Sequence, residues 1–290
     1  MRQRPVPRPA QGYIIYEAMR SICSVLATLV RIGEKPDICR PNRSGTSDSR
    51  CILVKAFLLA AGLGTRLRPL TDRLPKPLVP IHGRPLLAWW LDLLEQHSVD
   101  EVLINLHHLP DQIRSFANDY TGPVRISLVL ENELLGSAGT IHANRMFVDG
   151  EEAFLILYAD NITTVDLGAL IDFNRNNPAL LTVGLFHAEN PRGSGIVTLD
   201  SDGTIIDFVE KPASPTSDLA SAGVFVGRPE LLDRIDPAGR RPYDFGAHVM
   251  PGLIGRMNGV EIQGYLRDIG TPESLATAER EFVPISTSRP

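Results

Sequence analysis

Blocks of apolar and polar positions along the chain predict strands and helices. Ala56 to Ala61 is an apolar run of strand length that ends at a glycine and reads as a strand buried on both faces. Arg84 to His97 carries Leu86, Leu87, Trp90, Leu93 and Leu94 at helical spacing, with Trp89 and Trp90 as core or interface residues rather than ligand platforms. Glu101 to Leu106 and Arg125 to Leu130 read as further strands, with a short helix starting at Pro110 between them. Ala153 to Ala159 is another hydrophobic run, Asp166 to Asn176 looks helical, and Leu180 to His187 looks extended. Gly195 to Leu199 and Thr204 to Val209 flank Asp200-Ser201-Asp202-Gly203, a hairpin signal. A strand is expected over Ala220 to Val226, a helix starting in Tyr243-Asp244-Phe245-Gly246 and running to about Met257, and a last helix from Pro272 to near Phe282. No internal repeat and no hexapeptide array of a left-handed β-helix is visible.

The 290 residues allow one large domain or two small ones, and 43% hydrophobic with 22% charged residues is ordinary for a soluble globular protein. The net charge of −5 hides an asymmetry: residues 1–53 hold nine Lys/Arg and four Asp/Glu (+5), and the rest hold 20 and 30 (−10). An acidic body argues against a nucleic-acid partner, whose backbone requires a broad basic face. Cys23, Cys39 and Cys51 all precede residue 54, so the body has no disulfide framework or cysteine metal site, which suits a reducing cytoplasm. In the leader, Glu17 and Arg20 interrupt the apolar side, and no run reaches membrane-spanning length. No small-residue cleavage site follows the apolar patch Ile22 to Ile32, which argues against a secretory signal.

Candidate chemistry starts after the first buried strand. Gly62-Leu63-Gly64-Thr65-Arg66 is a turn whose glycines let backbone N–H groups approach an anion. Arg66, Arg68 and Lys76 follow closely, and Pro75 and Pro77 restrict the backbone around Lys76. A strand end, an N–H cradle and clustered cations point to a polyphosphate site. The dinucleotide fingerprint fails because Leu67 stands where its third glycine belongs, and no Gly-Lys-Ser/Thr triplet completes a P-loop.

Leu59 to Thr71 and Pro75 to Leu78 resemble, without a gap, the signature of the sugar-1-phosphate nucleotidylyltransferases: L-A-A-G-x-G-T-R-L-x-P-L-T, then P-K-P-L. The resemblance continues to about Phe282, and within the family it is closest to the short bacterial mannose-1-phosphate guanylyltransferase-like group. It implies an α/β fold: a Rossmann-like, mixed, mostly parallel central sheet with helices on both faces, the nucleotide-diphospho-sugar transferase fold. A catalytic domain over 54–283 and a tail over 284–290 are expected. Family members usually begin Met-Lys-Ala just before the first strand, where this chain has Val54-Lys55-Ala56. Residues 1–53 are therefore expected to be a mis-called or poorly ordered extension with no part in the chemistry.

Further motifs carry the resemblance. Leu135-Gly136-Ser137-Ala138-Gly139 resembles L-G-T-A-G, which lines base and ribose, with Ser137 where Thr is commoner. Glu131 stands five residues before Gly136; its carboxylate either accepts from two guanine donors or is a solvated strand end. Ala159-Asp160 matches Gly-Asp, whose Asp binds Mg²⁺, and such a strand end is where open α/β sheets hold ligands. Asn161 follows it on the sugar-phosphate side. Phe208-Val209-Glu210-Lys211-Pro212 resembles F-x-E-K-P, in which Glu contacts sugar hydroxyls and Lys the sugar phosphate. Ser221-Ala222-Gly223 matches N-A-G with Ser221 for Asn, which loosens the sugar assignment. Asp244 either reaches the sugar or caps a helix. Asp268-Ile269-Gly270-Thr271-Pro272 resembles D-x-G-T-P, whose Asp is the second Mg²⁺ ligand. His107 and His108 have no third ligand at useful spacing and read as structural or solvated.

The reaction implied is NTP + sugar 1-phosphate → NDP-sugar + pyrophosphate, with Mg²⁺ as cofactor and no general base, since the sugar phosphate is already an anion. Leu59, Ala60, Ala61, Gly62, Gly64 and Thr65 would cradle the nucleotide, Arg66 and Lys76 would stabilise charge around the reacting phosphates, and Lys211 would hold the sugar phosphate. GTP and mannose 1-phosphate are the expected substrates. Heptose, N-acetylmuramate or glucose 1-phosphates, a uridylyltransferase, and a non-catalytic regulatory subunit stand as alternatives. A cytoplasmic enzyme without a membrane partner is expected, and self-association is left open.

Overall fold

The computed structural model describes residues 54–284 and a short strand at 30–32; the assignments for the rest of the leader and for the tail fall outside the described residues. In chain order the strands are β1 (Val30–Ile32), β2 (Lys55–Leu59), β3 (Pro80–Ile81), β4 (Arg84–Pro85), β5 (Glu101–Leu106), β6 (Arg125–Leu130), β7 (Phe154–Tyr158), β8 (Asn161–Thr163), β9 (Leu181–His187), β10 (Gly195–Leu199), β11 (Ile205–Glu210), β12 (Leu219–Gly227), β13 (Met257–Glu261) and β14 (Leu266–Asp268). The α-helices are α1 (Leu86–Gln96), α2 (Pro110–Asp119), α3 (Ser137–Ala143), α4 (Leu167–Asn176) and α5 (Pro272–Glu281).

Ten strands form one mixed sheet. One half of it, β6-β5-β2-β7, is parallel, with β1 antiparallel along β6. β12 reverses the direction: it pairs antiparallel with β7, β9 and β10, and β10–β11 is the expected hairpin. β13 runs parallel to β9. Alternation along each strand sends side chains to opposite faces. Ala56 and Leu58 of β2 enter one core with α1, α2, α4 and α5, whereas Phe57 enters another with α3 and the turns around Leu231 and Phe245. Helical structure therefore covers both faces, and β2 is buried on both sides, as its unbroken apolar run predicts.

Trp90 is buried in the first core, and Trp89 donates its indole N–H to the Ile81 carbonyl and packs edge-on against Phe282, so both serve packing. The helix expected from Arg84 starts at Leu86, because Arg84 and Pro85 pair with β3. The helix expected from Tyr243 to about Met257 does not form. A single π-helical turn, Phe245–Val249, leads into a 3₁₀ turn, Met250–Leu253, and Met257 opens β13. Pro251 removes an N–H donor and Gly255 takes a positive φ of 77°, both incompatible with a continuing helix. Among the described residues no helix is long and apolar enough to cross a membrane.

Candidate active site

The glycine loop is fixed at the carboxyl end of the parallel half. Leu59 accepts the Ala159 N–H at 3.1 Å, and Ala60 donates its N–H to the Asn105 side-chain oxygen at 2.6 Å. Leu59 is paired with Tyr158, so β2 and β7 end level, and Asp160 lies beside the loop that follows Ala61. Gly64 has a positive φ of 62°, and a Cβ there would stand 2.9 Å from Thr71 Cγ2. Thr71 closes the loop by donating its hydroxyl to the Gly64 carbonyl at 2.7 Å. Gly62 is exposed, and a Cβ there would meet no protein atom within 4 Å. Thr65 to Leu67 form a 3₁₀ turn that projects Arg66 toward the paired ribbon β8–β14.

Lys76 is the centre of the site. Held in a 3₁₀ turn after Pro75, it is only 6% exposed, and its ammonium lies 3.1 Å from Asp160 Oδ2 and 3.0 Å from Asp268 Oδ1. Arg66 Nη2 lies 3.5 Å from Asp268 Oδ2. A buried ammonium needs such pairing to offset its lost hydration. The two carboxylates meet because Asp268 pairs with Asn161 across the ribbon and Ile269 donates its N–H to the Asp160 carbonyl at 3.0 Å. Gly270 is required by close approach: a Cβ there would lie 2.7 Å from Arg66 Nη2 and 2.9 Å from both Asp268 carboxylate oxygens. Residues from four separate motifs thus converge. Two half-exposed carboxylates are hard oxygen donors, and this donor set fits a small dication that takes one or two carboxylates and completes its shell with phosphates and water.

Glu131 is not a solvated strand end. It is 4% exposed, its Oε1 accepts from Asn105 Nδ2 at 2.8 Å and from the Thr140 hydroxyl, and its Oε2 accepts the Leu135 N–H at 3.1 Å. Its carboxylate braces the turn that leads to Gly136. Ser137 donates its hydroxyl to Asp244 Oδ2 at 2.9 Å and accepts the Phe245 N–H at 2.7 Å, while Asp244 Oδ1 caps the following turn through the Ala247 N–H at 2.8 Å. Asp244 is therefore a cap that also ties in the Ser137 loop.

At the end of β11, Lys211 is exposed with a positive φ of 48°, and its ammonium lies 3.3 Å from Glu210 Oε1. The other Glu210 oxygen packs close to Gly195 and Gly246. Asn161 donates its side-chain N–H to the Ala222 carbonyl at 3.0 Å, next to Gly223, and Ser221 lies where the β12–β9 register shifts. His107 Nδ1 and His108 Nε2 bond the carbonyls of Glu131 and Thr71 at 2.8 and 2.7 Å, so both are structural, as read. Sequence reasoning missed Asn105, Thr140 and Tyr158. Partial burial raises the Tyr158 phenol pKa well above its ordinary value, the Asp244 charge adding to it, so this side chain is a neutral hydroxyl among the site carboxylates. Its place at the strand end, two residues before Asp160, was the available signal.

A glycine loop, clustered cations and paired carboxylates stand together at the carboxyl ends of parallel strands, where open α/β sheets hold their ligands. The family described as "Nucleotidyl transferase" matches residues 55–283, and the chain belongs to it. A UTP–glucose-1-phosphate uridylyltransferase of Synechocystis is 33% identical over 216 residues, 69% of this chain and 55% of that protein. A mannose-1-phosphate guanylyltransferase of Mycobacterium tuberculosis is 32% identical over 235 residues, 79% of this chain and 65% of that one. The chain thus spans less than two thirds of the length of these relatives. Two solved structures share the fold. HddC from Yersinia pseudotuberculosis has a TM-score of 0.66 at 23% identity, over 80% of this chain and 100% of its own. A putative glucose-1-phosphate thymidylyltransferase from Bacillus anthracis has a TM-score of 0.69 at 22% identity, over 81% and 98%.

Proposed function

We propose that this chain transfers a nucleotidyl group from GTP to mannose 1-phosphate, releasing GDP-mannose and pyrophosphate in the cytoplasm. The observation that carries the reaction class is the convergence of Lys76, Asp160 and Asp268 beside the glycine loop. A non-catalytic regulatory subunit would not need these groups together. The substrate choice is supported by relatives named mannose-1-phosphate guanylyltransferases at about 30% identity in rice and 32% in M. tuberculosis. The Synechocystis relative, at 33%, favours UTP and glucose 1-phosphate as a second reading. Glu131 lends guanine no support, since its oxygens are committed internally.

A sugar-phosphate oxygen attacks the α-phosphorus, the bond to the bridging oxygen breaks, and pyrophosphate leaves. The attacking phosphate is already anionic, so positioning and electrostatics carry the rate. The Gly62 to Thr65 backbone and Arg66 hold the triphosphate. Lys76 offsets charge at the α-phosphate, and Lys211 draws in the sugar phosphate while Glu210 faces the sugar hydroxyls. Asp160 and Asp268 would hold Mg²⁺, which when bound neutralises phosphate charge between the two reactants. The test is a panel of nucleoside triphosphates against sugar 1-phosphates, read by pyrophosphate release. GTP with mannose 1-phosphate should give the highest kcat/KM. A higher value for UTP with glucose 1-phosphate would replace this substrate assignment, and no release from any pair would refute the activity.

A further inference from the structure

We infer that Lys76 is a resident counter-ion of the Asp160–Asp268 pair, and that it yields these carboxylates to a dication only when a nucleotide's phosphates take its ammonium. Metal then binds with the nucleotide and not before it. This inference rests on reading the two aspartates as the metal-holding pair.

Among the described residues, the Lys76 ammonium contacts only these two carboxylates, at 3.1 and 3.0 Å. Arg66 adds a second cation at 3.5 Å from Asp268. Two cations and two anions balance, so a free dication entering alone meets a neutral cluster and the repulsion of a buried ammonium. That ammonium cannot withdraw into solvent, because its turn is buried and follows Pro75. A triphosphate changes the balance. Its negative charge arrives at the adjacent glycine loop and recruits Lys76 and Arg66, which frees the aspartate oxygens for the metal. The arrangement is an ion exchange in which the protein's own cation guards the site from metal without substrate.

The test measures Mn²⁺ binding to the full chain by the loss of the free-ion electron-spin resonance signal, without sugar phosphate. Mn²⁺ shares with Mg²⁺ a preference for carboxylate and phosphate oxygens. The wild type should bind Mn²⁺ weakly alone and at least about tenfold more tightly, beyond the free nucleotide's own chelation, when GTP or UTP is present. Lys76→Met should bind Mn²⁺ alone about tenfold or more tightly than wild type, the scale of losing a charge-assisted bond that competes with the metal. Arg66→Gln, on the exposed side, should show a smaller gain and serves if Lys76→Met does not fold. Asp160→Asn should remove the gain from either background. Equal Mn²⁺ affinity of the wild type with and without nucleotide would overturn the inference. So would a folded Lys76→Met, or failing that Arg66→Gln, with no gain. Using either nucleotide keeps the result independent of the substrate choice proposed above.

Discussion

The side-chain oxygen of Asn105 accepts the backbone N–H of Ala60 at 2.6 Å, and both residues are buried. The same amide donates to Glu131 at 2.8 Å and to Thr140 at 3.0 Å, so one side chain links the first residues of the glycine loop to the turn before Gly136. Asn105→Ala strands the Ala60 N–H and takes a donor from a buried carboxylate. It should destabilise the protein by about 1–3 kcal/mol. It should also raise KM for the nucleotide more than KM for the sugar phosphate. Asn105→Asp should be worse, since it sets a second carboxylate against Glu131. Denaturant unfolding with two-substrate kinetics checks this, and an Asn105→Ala enzyme with unchanged stability and nucleotide KM contradicts it.

Two glycines in the same loop should separate binding from folding. Gly64 takes a positive φ and its missing Cβ faces Thr71, so Gly64→Ala should cost about 1–3 kcal/mol of stability. Gly62 has open space and no positive φ, so Gly62→Ala should fold normally. It should instead weaken the nucleotide about tenfold or more, because a methyl group would hold phosphate oxygens away from the loop N–H groups. Thermal melts and nucleotide titrations distinguish the two. A Gly62→Ala protein that binds nucleotide as well as wild type would remove that loop from the phosphate site.

Asp160→Asn and Asp268→Asn should each lose turnover by at least about two orders of magnitude while the protein stays folded, since the other carboxylate still pairs with the buried Lys76 ammonium. Saturating Mg²⁺ should not rescue either variant. Near-normal rates in one of them would remove that aspartate from the reaction.

His97 should give stability a pH dependence of known sign. Its Nδ1 accepts the Gly168 N–H at 3.2 Å, so the neutral ring is the bonded form. Burial lowers its pKa below 6.5, against an opposing pull from Asp166. The unfolded chain then takes up the proton first, and stability falls as the pH drops below about 6.5 toward the folded value. The exposed His187, raised by Asp218, acts with the opposite sign, so the comparison must be between wild type and His97→Gln. The variant should lose less stability than wild type between about pH 6.5 and 5. Parallel curves for the two proteins would count against the assignment.

Legibility from sequence tracked how local each constraint was. β5 and β6 match their expected bounds, because an apolar run between turns needs no distant information. The helix expected after Tyr243 fails because Pro251 and Gly255 break it, and the pairing of β13 with β9 joins segments far apart in the chain. Lys76, Asp160 and Asp268 were each visible as motif residues. Their direct contact was not, since it depends on the β8–β14 register. The solvated strand end offered for Glu131 fails for the same reason: its donors, Asn105 and Thr140, come from other elements.

Lys76 and Lys211 should serve different substrates, and kinetics can separate them. Lys76 is buried between carboxylates beside the glycine loop, whereas Lys211 is exposed and touches only Glu210 among the described residues. A charge-assisted contact to phosphate is worth roughly 1.5–3 kcal/mol, or about one to two decades. Lys211→Ala should therefore raise KM for the sugar 1-phosphate by about that factor and leave KM for the nucleotide nearly unchanged. Lys76→Ala should act mainly on kcat, because its charge matters most as negative charge shifts around the α-phosphorus. Exchanging either lysine for arginine should recover only part of the loss, since a planar fork does not replace a compact ammonium. The Lys76 site makes the stronger case: its ammonium lies about 3 Å from two carboxylate oxygens in a buried turn, where the larger guanidinium needs more room. If Lys211→Ala weakened the nucleotide alone, the two substrate sides would have to be exchanged.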